Sequence, residues 1–63
     1  MAVAGRDLRL ERLHAEVTVV EIAARMGLSR QALWAVERAA VVKADRAAAY
    51  RQALSDAIKA SAA

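Results

Sequence analysis

At 63 residues and a net charge of +3, with no cysteine and His14 as the only histidine, the chain excludes disulfides, thiolate metal centres and a histidine zinc cluster. It has no apolar run of about 18 residues that would span a bilayer. Residues 1–7 are too short and polar for a secretory signal, so a single cytoplasmic domain over 1–63 is expected. Alanine is the largest component of the 59% apolar fraction, and large apolar side chains are few. A chain of this length buries only about 60% of its unfolded surface, so dimerisation is expected to complete a thin core. Residues 1–38 carry six basic and five acidic side chains and 39–63 carry four and two. A polyanion would therefore be bound by charges gathered on one face, not by bulk charge.

In chain order, residues 1–6 read as frayed. A first helix then begins at Asp7, a capping residue, with Leu10, Leu13 and Val17 as its inner stripe and Leu8 off it. Thr18-Val19-Val20-Glu21 fits a capping box: the threonine hydroxyl accepts from the Glu21 amide, and the glutamate reaches back to the Thr18 amide. That predicts a second helix over 19–26 with Ile22, Ala23 and Met26 inward, ended by Gly27, which tolerates positive φ. Leu28 turns into the core and Ser29 caps a third helix over 30–39. Its inner side is Leu33, Val36 and Ala40, and its outer side Arg30, Gln31, Trp34, Ala35 and Arg38. After a short apolar connection, a last helix runs from about Lys43, with Ala47, Tyr50, Leu54, Ala57 and Ile58 as one stripe and Lys43, Arg46, Arg51 and Lys59 off it. The expectation is an all-α bundle of about four helices.

Two short helices about a glycine turn suit DNA. The major groove, about 12 Å wide, admits one helix that projects while a second braces it. Ala23 supplies the close approach, Gly27 the turn, and Leu33 and Val36 the anchor under the projecting helix. Residues 18–38, TVVEIAARMGLSRQALWAVER, resemble the helix-turn-helix of the Cro/repressor-type (XRE-like) regulators of phages and bacteria, whose fold is lambda-repressor-like. The likeness runs without a gap through Thr18, Glu21, Ile22, Ala23, Arg25, Met26, Gly27, Leu28, Ser29, Arg30, Leu33, Val36, Glu37 and Arg38.

The resemblance implies that Thr18 and Ser29 lie against phosphate and that Arg30 and Gln31 are the first base-reading positions. Their chemistry suits this, since arginine pairs twice with guanine and glutamine twice with adenine. Trp34 and Ala35 match the next reading turn. Apart from the resemblance, Arg38 shares the outer side of that helix, and the charges of Lys43 and Arg46 suit the backbone flanking the groove. Glu37 matches a glutamate that pairs with an arginine of the first helix, which counts back to Arg12, with Arg9 as the alternative. Two positions depart from the family. Val19 stands where a phosphate-contacting glutamine is usual; Ala39 stands at a usual glycine, and one long helix follows where the family goes on to a fifth.

Bland readings stand beside these. Arg30, Gln31 and Arg38 could form a solvated face, Trp34 either faces DNA or packs on the last helix, and the stripe over 43–60 is either core or dimer seam. An enzyme is not expected: Ser29, Ser55 and Ser61 have no base, and two glycines make no phosphate loop. No cofactor, metal, membrane or small-molecule ligand is implied. The expectation is a sequence-specific DNA-binding regulator in a bacterial cell, of phage or bacterial origin, acting as a homodimer on a near-palindromic operator. The alternatives are a protein-interaction module on the same scaffold, antitoxin-like or a phage inhibitor, and an excisionase-type recombination factor.

Overall fold

Side-chain caps set the starts of the two central helices. The computed structural model describes residues 2–62, which form α1 (Gly5–His14), α2 (Val19–Met26), α3 (Arg30–Arg38) and α4 (Ala44–Ala62). Thr18 Oγ1 accepts from the Glu21 amide at 3.2 Å to open α2, and Ser29 Oγ accepts from the Ala32 amide at 3.1 Å to open α3. Each hydroxyl satisfies an amide that has no partner within its helix. Among the described residues, only this half of the capping box forms; the return bond from the Glu21 carboxylate is not made. Between the two helices Gly27 takes φ 70°, and the Leu28 amide bonds back to the Ala23 carbonyl at 2.9 Å. A left-handed residue followed by a bond spanning five positions is the Schellman ending, and glycine enters it without a Cβ penalty.

The end of α1 uses the same geometry without a glycine. Glu16 sits at φ 58°, its amide bonds to the Leu13 carbonyl at 3.1 Å, and the Val17 amide reaches the Arg12 carbonyl at 3.2 Å. The result turns Val17 into the core.

One large side chain from each helix fills the centre: Leu8, Ile22, Leu33 and Tyr50 are all fully buried. Burial of each contributes about 1.5–3 kcal/mol relative to exposure. Around them the space is closed by small residues, Ala23 from α2 and Ala47, Ala53 and Ala57 from α4. The Ala47, Tyr50, Leu54 and Ala57 part of the expected stripe is therefore inside, whereas Ile58 is exposed and Ala53 is buried instead.

Other expectations for α1 are corrected. Leu10 and Leu13 are 54% and 46% exposed, and the inner face is Gly5, Leu8 and Arg12. The spacing of three and four still holds, but an arginine occupies the position a leucine was expected to fill. The helix begins two residues before Asp7, which lies in the first turn and makes no cap; the preceding Ala4 offers no side-chain cap either. What fixes this end is pairing with the α3–α4 connection. The Gly5 amide donates to the Ala39 carbonyl at 2.9 Å, and Val3 and Val42 form an antiparallel bridge with bonds of 3.1 and 2.6 Å. Residues 3–5 are thus held rather than frayed, while Met1 lies outside the described residues. Gly5 is required by this approach: a Cβ there would collide with the Val36 carbonyl oxygen and stand 2.8 Å from that of Ala39.

At its C-terminus α3 passes straight into extended backbone, with Ala39 at φ −67° and ψ 136°. No positive φ is needed, which is why alanine serves there. Ala40 follows outside the helix and is exposed, so it does not extend the inner face of α3. Among the described residues, no helix is long and apolar enough to cross a membrane.

Candidate nucleic-acid interface

The outer face of α3 follows from its inner one. Leu33, Val36 and Glu37 turn inward, and at 100° per residue that leaves Arg30, Gln31, Trp34, Ala35 and Arg38 outward; all five are exposed. Arg30 and Gln31 stand in the first turn, immediately after the Ser29 cap. They are the tip of a helix whose start is fixed by a side-chain hydrogen bond.

The orientation of α3 is held by a buried polar triad. Glu37 is 3% and Arg12 8% exposed, and the guanidinium meets the carboxylate in two parallel bonds, Nε to Oε2 at 2.8 Å and Nη2 to Oε1 at 3.1 Å. The remaining capacity is also used. Arg12 Nη1 donates to the Val17 carbonyl at 3.0 Å, and the Tyr50 hydroxyl donates to Glu37 Oε2 at 2.6 Å. The network thus ties α1, α3 and α4 together at one carboxylate. Among the described residues, no buried side-chain nitrogen or oxygen lacks a partner. Burial pushes the Glu37 carboxyl up, but the bonds from Arg12 and Tyr50 and the charge of Arg12 outweigh it, leaving the carboxyl below its usual range. Burial, and then the bond to Glu37, raise the Tyr50 phenol far above its ordinary value. The hydrogen bond that Arg12 donates to Glu37 raises its guanidinium against the opposing effect of burial. Arg9 stays exposed and makes no bond to Glu37, so Arg12 is the partner. The Tyr50 contribution was not legible in the sequence, where Tyr50 reads as one more member of an apolar stripe.

The remaining candidates flank α3. Lys43 and Arg46, both exposed, share a shallow groove with Ala35, Val36 and Ala39, between α3 and the start of α4. Trp34 is 44% exposed, and its small cleft is completed by Arg9, Glu37 and Arg38. Its neighbours in that cleft come from α1 and α3. Thr18 is exposed at the start of α2, with its hydroxyl engaged in the cap. Val19, at the position where glutamine was expected, is half-buried against the core and offers nothing to a phosphate. On the opposite side of α1, Arg51 is engaged by Glu11 in two bonds of 2.7 and 3.0 Å. The hydrogen bond and charge of Arg51 hold the Glu11 carboxyl below its usual range, against a smaller effect of burial. Arg51 is therefore a partner of α1 and not part of the α3 face.

No protein-family model matches the chain, and neither a curated protein nor a solved structure is significantly similar to it.

Proposed function

We propose that the chain is a sequence-specific double-stranded DNA-binding regulator of the Cro/repressor (XRE-like) kind, with α2, Gly27 and α3 as its helix-turn-helix. The observation that carries the reading is the outer face of α3. Arg30, Gln31, Trp34, Ala35 and Arg38 are exposed together on a helix capped at its start and braced at Glu37 from two other helices. Reading bases requires this combination, because a bidentate contact discriminates only if the side chain arrives at a fixed angle. Arg30 and Gln31 bind base edges, and Trp34 and Ala35 lie against thymine methyl groups. Lys43 and Arg46 bind the backbone beside the groove.

Two copies on a near-palindromic operator would set their reading helices about 34 Å apart, one turn of the duplex. Occupancy of a promoter in the bacterial cytoplasm would then regulate transcription. In a binding assay, Gln31→Ala is expected to cost about 1–3 kcal/mol at one base position and to leave the others unchanged. Arg46→Ala is expected to weaken all sequences alike. If neither variant changes duplex binding, α3 is not a reading helix, and the same exposed face is better assigned to a protein partner.

A further inference from the structure

We propose that the groove between the start of α1 and the end of α3, built on Arg6, Arg9 and Arg38, is a second backbone-binding site that takes phosphodiesters of the duplex read by α3. The inference rests on the DNA-binding reading and deepens it.

The geometry starts from Gly5. Because that residue has no Cβ, the first turn of α1 lies directly on the backbone of the last turn of α3. This brings Arg6 and Arg9, one turn apart on α1, to the same groove as Arg38. Arg9 and Arg38 also line the cleft in which Trp34 sits. The three arginines are exposed and make no ion pair among the described residues. Glu37, at the floor of the groove, has its charge matched by Arg12. Asp7 also lines the groove, one carboxylate against three arginines. The groove therefore keeps a positive excess beside a flat aromatic ring.

Its position relative to α3 gives it meaning. At 100° per residue, Ala35 marks one edge of the outer face of α3, and Arg30, beside the inward Glu37, marks the other. Lys43 and Arg46 stand by the first edge, and Arg6 and Arg9 by the second. A helix seated in the major groove has a phosphate backbone on each side, and α3 has guanidinium or ammonium groups on each side to meet them. Charge on both margins of an exposed helix complements a groove with two anionic walls.

The test is the salt dependence of duplex binding by the whole chain, measured for the wild type, for Arg6→Ala/Arg9→Ala and for Arg51→Ala. Each phosphate neutralised contributes about 0.9 to the slope of log K against log salt, so the double variant should lose about 1.8. Its affinity loss between 50 and 200 mM salt then shrinks by roughly twelvefold relative to wild type. Arg51→Ala should keep the wild-type slope, and the base preference should be the same in all three. Both substituted arginines are exposed, and a thermal melt of the double variant should match the wild type. A wild-type chain that binds duplexes with a slope unchanged by the double substitution overturns this site and leaves the reading helix in place. A wild-type chain that binds no duplex overturns the DNA-binding reading, and this site with it.

Discussion

Replacing Glu37 by glutamine tests the brace under α3 with almost no change of shape. The substitution removes the charge that faces the Arg12 guanidinium across two bonds of 2.8 and 3.1 Å, in a place where Arg12 is nearly inaccessible to water. Taking one partner from a buried pair costs about 3–5 kcal/mol, because the other charge stays desolvated. Arg12 retains the Val17 carbonyl, and the amide oxygen of glutamine can accept one bond, which puts the expected loss near the bottom of that range, about 3 kcal/mol. A domain of this size has a total stability of roughly 3–9 kcal/mol. The loss should therefore lower Tm by roughly 12–24 °C. Urea unfolding followed by far-UV circular dichroism measures it as a fall in midpoint at constant slope. Replacing all three members, Arg12→Met with Glu37→Leu and Tyr50→Phe, should recover much of the loss, since a packed apolar cluster carries no desolvated charge. A loss below about 1 kcal/mol for Glu37→Gln would mean that the pair is solvated like a surface ion pair and braces nothing.

The same triad predicts a stability that falls at both extremes of pH. The folded Glu37 carboxyl lies below its unfolded value of about 4.3, so its contribution is complete above that value and is lost as pH falls through the lower folded one. Tyr50 is raised when folded, so its contribution is complete below about pH 10 and is lost as pH rises through the folded value. Tyr50 is the only tyrosine, so tyrosinate absorbance should appear only as the helices melt, and titration near pH 10 with the fold intact would contradict its buried bond. Gly5→Ala should cost roughly 1–3 kcal/mol, because its Cβ meets backbone that cannot rotate away; an unchanged melting temperature would show that α1 does not approach α3 so closely. Glu16→Gly should raise stability by up to about 1 kcal/mol, by relieving the left-handed strain at an exposed position; a lower urea midpoint would contradict it.

The sequence carried the α2–α3 unit well, because its boundaries are local chemistry. Thr18 and Ser29 each hold an amide three residues on, and Gly27 takes the one conformation that favours it. The outer face of α3 followed from those boundaries and a period of 3.6. The rotation of α1 was not legible, because counting apolar residues places leucines inside. In this fold Arg12 is inside, neutralised by a residue 25 positions away, and Leu10 and Leu13 face outward. The same difficulty hid Ala53 behind Ile58: where helices pack on small residues, an alanine is worth more inside than a branched side chain. The end of α1 was hidden for a different reason. A left-handed Glu16 closes that helix where a glycine would have announced the turn. The basic groove beside α3 depends on Gly5, which reads as a flexible terminus until its contacts with Val36 and Ala39 are seen.

Whether α3 reads base sequence is decided by selection of bound duplexes from a random pool at physiological salt. The account predicts enrichment of a short motif, as an inverted repeat with half-sites one helical turn apart, and loss of one position of that motif with Gln31→Ala. A pool that stays random after repeated rounds, with a folded chain, would contradict it.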